Sequence, residues 1–129
     1  MKKKTISIIG SGVIGAGWAT RFLASGHTVK AYDPNMRALK KLQKDVKNAL
    51  TSLKKVGLNK NASLKNLKCY STVNATIKDT DFIQENAPEN EKIKTKLLKQ
   101  IDSASNKNVV IASSSSGLLP SKIQSQCKY

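Results

Sequence analysis

The tightest constraint on this chain lies between Ile6 and Asp33. Ile6, Ile8 and Ile9 form a short apolar, β-branched run that ends at Gly10, the pattern of a buried strand. GSGVIG (Gly10–Gly15) follows at once and opens VIGAGWATRFLA, whose apolar residues fall at helical spacing and which stops at Gly26. HTVKAYD then reads as a second strand ending on Asp33, 18 positions beyond Gly15. A glycine triplet alone is weak evidence. Between a strand and a helix, with an acidic residue closing the next strand, it is the fingerprint of a dinucleotide-binding βαβ unit.

Each residue of the fingerprint has its own reason. Gly10 permits the tight turn out of the strand. Gly12, with no Cβ, lets the backbone approach a pyrophosphate seated on the positive amino end of the helix. Gly15 lets that helix pack closely on the strand. Asp33 accepts hydrogen bonds from the adenosine ribose, and its charge repels a 2′-phosphate, which points to NAD; Arg37 nearby is the one feature that speaks for NADP.

The rest of the chain continues in alternation. Asn35 caps a predicted helix over Met36–Val56, apolar at Leu39, Leu42, Val46, Leu50 and Leu53, and Gly57 stops it. After the polar stretch GLNKNASLKN, LKCYSTV reads as a third strand, and Asn74–Asp79 as one or two helical turns. DFIQENA is a fourth strand, Glu89–Ile101 a helix opened by Pro88, and NVVIA a fifth strand. SSSSG is a connection, and Leu119–Cys127 a last short helix with Pro120 in its first turn. Strands alternating with helices predict an α/β fold: a Rossmann-type, doubly wound parallel sheet of about five strands. The chain reads as one domain, 1–129.

Charge is the most extreme feature of the composition: 23 Lys and Arg against 8 Asp and Glu, a net +15. Specific nucleic-acid binding is nonetheless not expected. Only Arg21 and Arg37 are arginines, aromatics make up 5% of the chain, and the lysines are dispersed among Asn, Ser and Thr, whereas phosphate forks and base stacking rely on arginine and aromatic rings. Cys69 and Cys127 match no metal-ligand spacing and read as reduced thiols. The run Ile6–Ile9 is too short for a signal peptide or a membrane span, so a soluble, cytoplasmic protein with no membrane partner is expected. His27, at the start of the second strand, is a poor candidate for a general base. Trp18 reads as a core or interface anchor. Glu85 and Glu89 flank the end of the fourth strand, where open α/β sheets place ligand contacts.

With those pieces placed, IIGSGVIGAGWATRFLASGHTVKAYDP, DFIQENAPE and VVIASSSSGLLPSKIQ together resemble the amino-terminal NAD domain of the 3-hydroxyacyl-CoA dehydrogenase family, over essentially all 129 residues. QENAPE and SSSSGLLPS look most like its carnitine dehydrogenase branch, with the gulonate dehydrogenase and lambda-crystallin branch next. The resemblance implies NAD as cofactor, held by Gly10, Ser11, Gly12, Val13, Ile14, Gly15, Asp33, Ala87, Glu89, Lys94 and Ser116. It also implies that Ser116 lies by the nicotinamide and hydrogen-bonds the substrate's hydroxyl or carbonyl oxygen. Ser114 stands where the acyl-CoA enzymes usually carry asparagine. Ala49 and Val56, the latter beside Lys55, stand at the positions where those enzymes carry a CoA-contacting Ser and Lys, which favours a small hydroxy acid over an acyl-CoA.

The family's catalytic histidine and its glutamate partner match nothing here, and oxidising a secondary alcohol needs a base to take the hydroxyl proton. The expectation is an NAD-binding domain that does not turn over by itself: part of a dehydrogenase, or alternatively a binding module or relic. A small-molecule substrate is expected only with a completing domain. Self-association is expected through the edge of the fifth strand, Val109–Ala112.

Overall fold

The computed structural model of the chain describes residues 2–114 and 120–127. Strand β1 (Thr5–Ile9) leads to helix α1 (Val13–Ala24), β2 (Thr28–Tyr32) to α2 (Met36–Leu53), and β3 (Leu67–Tyr70) to the short α3 (Val73–Ile77). Strand β4 (Phe82–Glu85) then leads to α4 (Glu91–Ala104), and β5 (Val110–Ser113) is the last strand before a single turn of helix, α5 (Pro120–Ile123). The five strands form one sheet in the order β3-β2-β1-β4-β5, and every pairing is parallel. This is the Rossmann-type α/β sheet that the alternation predicted.

Two cores sandwich the sheet. Ile6, Ile8, Val29 and Ala31 pack under α1 and α2, against Ala19, Leu23, Leu39, Leu42, Val46 and Leu50. Ile9 and Ile83 pack on the other face against Val73, Ile77, Leu98, Ile101 and Ile123. Aliphatic side chains do nearly all of this work, as a chain poor in aromatics requires. Trp18 is partly exposed and stacks on Phe22 with ring centroids 5.7 Å apart.

Register fixes the functional edge. Ile9 lies opposite both Tyr32 and Glu85, and Glu85 lies opposite Ser113. The residues that leave these strands, Gly10, Asp33, Asn86 and Ser114, therefore emerge together at the carboxyl edge. Strand β1 has a neighbour on each side, and the chain departs to opposite faces from β1 and β4. Open α/β sheets bind ligands in the crevice at such a switch point.

Several boundaries differ from the sequence reading, each for a local reason. Helix α2 ends at Leu53, three residues short of Val56, because Gly57 takes a left-handed φ of 113° and its N–H closes back on the Leu53 carbonyl at 3.0 Å. Helix α3 starts at Val73 because the Thr72 hydroxyl caps it, accepting from Ala75 N. Helix α4 begins at Glu91, not Glu89: the Asn90 side chain accepts from Ile93 N and wins the capping position from Pro88. Glu89 consequently precedes the helix instead of sitting in its first turn, and α4 runs on to Ala104. In the polar stretch after Gly57, Ser63 caps a 3-10 turn over Leu64–Asn66.

Candidate functional site

The turn after β1 is built by exclusion. Gly10 has φ 101°, and a Cβ there would stand 2.7 Å from the Asn86 carbonyl oxygen and 2.9 Å from Ala87 N. A Cβ on Gly15 would stand 2.2 Å from the Gly10 carbonyl oxygen. The turn, the first turn of α1 and the segment after β4 are thus stacked at backbone contact. Gly12 is the opposite case: nothing lies within 4 Å of where its Cβ would be.

Gly12 is also the N-cap of α1, with no side chain capping the helix and no acidic residue in its first turn. The first N–H groups of this helix therefore have no side-chain acceptor from its cap. A pyrophosphate fits such a cradle, because it supplies the missing acceptors and its charge meets the positive end of the helix dipole.

Clefts lie on both sides of the cradle. One, of about 300 Å³, has apolar walls from Ile9, Tyr32, Pro34, Ile93 and Leu97, with Asp33 at its rim. The other, of about 320 Å³, is lined by Gly12, Val13, Ile14, Asn86, Glu89 and Ser114 among others. Ala87 and Pro88 border both and form the ridge between them. Val13 and Ile14, 81% and 58% exposed, present apolar surface to the second cleft.

Asp33 is held from two directions. Its Oδ2 accepts from Ser11 N at 3.1 Å and from the Ser11 hydroxyl at 2.9 Å, and its Oδ1 accepts from Asn35 N at 2.9 Å. Each oxygen is fixed in place before any ligand arrives. Arg37 is exposed on the first turn of α2.

Glu85 and Lys94 form a buried ion pair that the sequence reading did not anticipate. Lys94 Nζ donates to both oxygens of Glu85, at 3.1 and 2.8 Å. Glu85 also accepts from Ala87 N at 2.5 Å and from the Ser113 hydroxyl at 2.6 Å. Lys94, expected to touch the cofactor, is 1% exposed and reaches the second cleft only as part of its wall. Its immediate partner is the carboxylate that anchors the Ala87–Pro88 ridge. Glu89 is exposed at the mouth of the same cleft.

His27 is elsewhere. Its Nδ1 accepts from Lys4 N at 3.0 Å at the amino edge of the sheet, opposite the clefts. Ser116 lies outside the described residues. Cys69 and Cys127 are both free thiols, and burial pushes each thiol pKa up. No helix among the described residues is long and apolar enough to cross a membrane.

The family model for the NAD-binding domain of 3-hydroxyacyl-CoA dehydrogenase matches residues 5–129. The chain belongs to this family. L-carnitine dehydrogenase of Staphylococcus epidermidis is 42% identical over 123 residues, covering 95% of this chain and 38% of that protein. L-carnitine dehydrogenase of Pseudomonas putida is 45% identical over 119 residues, covering 92% and 37%. Among solved structures, (S)-3-hydroxybutyryl-CoA dehydrogenase from Ralstonia eutropha superposes with a TM-score of 0.86 at 32% identity, covering 98% of this chain and 46% of that one. This 3-hydroxyacyl-CoA dehydrogenase-family chain thus spans less than half the length of these relatives, 37% to 46%. The part it spans is the family's NAD-binding domain.

Proposed function

We propose that the chain holds NAD extended across the Gly12 cradle, as the cofactor half of a dehydrogenase acting on a small 3-hydroxy acid of the carnitine type. The adenine lies in the apolar cleft beside Tyr32 and Ile93, and Asp33 accepts from the adenosine ribose. The nicotinamide lies in the cleft of Val13 and Ile14, which Glu89 also lines; Ser116 takes the role the resemblance gives it, a hydrogen bond to the substrate's hydroxyl or carbonyl oxygen beside the nicotinamide. Lys94 contributes through Glu85 and the ridge it anchors. When bound, NAD supplies the hydride acceptor. The protein's part is to bind it, orient it and cover one face of its ring.

The observation that carries this reading is the uncapped end of α1 at Gly12, open to solvent between two clefts. Titration calorimetry with NAD at moderate salt tests it. The wild-type chain binds, and Asp33→Ala weakens binding by about 10-fold or more, because a carboxylate hydrogen bond is worth roughly 1.5–3 kcal/mol. Heat absent from the wild type, or unchanged in Asp33→Ala, overturns it. The carnitine-type substrate follows from the relatives and from Ala49 and Val56, neither of which can offer a hydroxyl or an ammonium to CoA.

A second reading, binding without turnover by these 129 residues, is favoured by the position of His27. It is the chain's one histidine, and it sits at the wrong edge of the sheet to take a proton from a substrate in the second cleft. Proton removal then depends on groups beyond those described. Strand β5 has a neighbour on one side only among the described residues, and its Val110 is 60% exposed, which supports association between copies as a further property of this chain. The dispersed lysines, with Arg21 and Arg37 the chain's two arginines, give a nucleic-acid reading no support.

A further inference from the structure

Three polar side chains at the carboxyl edge are joined in a way the fingerprint does not require: Gln84 in β4, Asn86 just beyond it, and Ser114 just beyond β5. Asn86 Nδ2 faces the backbone carbonyl of Gln84 at 3.5 Å. A carbonyl only accepts, so the amide is placed with its nitrogen on this side, and the contact, at the long limit of a hydrogen bond, holds it there weakly. Asn86 Oδ1 then turns to Ser114, whose hydroxyl donates to it at 2.5 Å. The Ser114 oxygen is left to accept, and Gln84 Nε2 donates to it at 2.7 Å and reaches Asn86 Oδ1 at 3.4 Å. Gln84 is only 4% exposed, so this polarity is set from inside the protein.

The result is an amide with one donor hydrogen left over among the described residues. Of the two amide hydrogens of Asn86, one points at the Gln84 carbonyl, and no described residue takes the other. Asn86 lines the cleft of Gly12, Val13 and Ile14, and not the cleft rimmed by Asp33. Every polar group on the nicotinamide nucleoside, ribose hydroxyl or ring amide, carries an oxygen that can accept.

We propose that Asn86 is a binding residue for the nicotinamide nucleoside half of the dinucleotide, donating its second amide N–H to an oxygen of that half. Ser114 and Gln84 are positioning residues that decide which way the amide faces. This rests on the NAD reading above and adds a residue to it.

Calorimetry of the 129-residue chain with NAD and with ADP, which lacks the nicotinamide nucleoside, tests the assignment. Asn86→Leu weakens NAD binding about 3- to 10-fold, the range of one hydrogen bond, and leaves ADP within about twofold. Ser114→Ala keeps the donor but frees the amide to turn, so it weakens NAD binding less than Asn86→Leu does. Equal losses for NAD and ADP, or no loss for either, overturn the proposal. So does a Ser114→Ala variant matching Asn86→Leu in NAD affinity while both melt lower in parallel, since the cluster is then only a tie between strands. A wild-type chain that binds neither ligand overturns the NAD reading together with this one, whereas wild-type binding with an insensitive Asn86 overturns this one alone.

Discussion

Lys94 Nζ stands 2.8 Å from Glu85 Oε2, and the two side chains are 1% and 0% exposed. Removing one partner strands the other charge in the core, which costs roughly 3–5 kcal/mol. Lys94→Met is therefore expected to lower stability by about that amount in urea denaturation, and Glu85→Gln/Lys94→Met by much less than the sum of the two single changes. Additive losses would show that the pair is not coupled.

Gly12 and Gly15 separate binding from folding. Gly12 has an ordinary φ of −64° and nothing near its missing Cβ, so Gly12→Ala should cost only about 0.5–1 kcal/mol of stability, the penalty of alanine at an N-cap. Its new methyl projects into the cradle, and NAD affinity should fall at least 10-fold. Gly15→Ala must push α1 off the Gly10 carbonyl and should lose both stability and binding. A Gly12→Ala variant that binds NAD normally would remove the pyrophosphate from this position.

Strand β5 has one neighbour, β4, among the described residues, and its Val110 is 60% exposed. Val110→Lys puts a charge on that edge and should shift sedimentation toward the monomer at high protein concentration. A wild type that is monomeric throughout argues against association through this strand.

Cys69 is half-buried in β3, and burial raises its pKa although the Gln43 amide, 3.5 Å from the sulfur, pulls the other way. The folded state therefore favours the protonated thiol. That contribution to stability is present at neutral pH and is lost as the pH rises through the folded-state pKa. Alkylation at pH 8 should be slower for native Cys69 than for the same thiol in denaturant, since the thiolate is the reactive form. Equal rates would contradict the burial.

The first βαβ unit was legible because its restraints are local. Gly15 and Asp33 answer to contacts inside this unit, with Gly10 and with Ser11 and Asn35, whereas Gly10 also records in its own identity a close approach to Asn86 and Ala87 that only the fold reveals. The start of α4 was misread because Pro88 and Asn90 both carry start signals, and only geometry decides between a proline's fixed φ and an amide that caps Ile93. The Glu85–Lys94 pair was illegible for a different reason. Nothing in DFIQENAPENEKIK shows that two charges nine residues apart turn inward to the same wall, rather than one bonding a ligand. The Gln84–Asn86–Ser114 cluster depends on β4 and β5 lying side by side, so its members became neighbours only once the register was known.

The pairing of β1 with both β2 and β4 also orders assembly in time. Its partners on one side lie 23 residues on, with Thr5 opposite Thr28, and on the other 76 residues on, with Ile6 opposite Phe82. During synthesis, the wall that carries Asp33 can close soon after the glycine turn emerges. The wall that carries Asn86 must wait until most of the chain has left the ribosome. Both clefts also draw on residues that follow β4, Ile93 and Leu97 in one and Asn86 and Glu89 in the other, so neither is complete until that late pairing has formed.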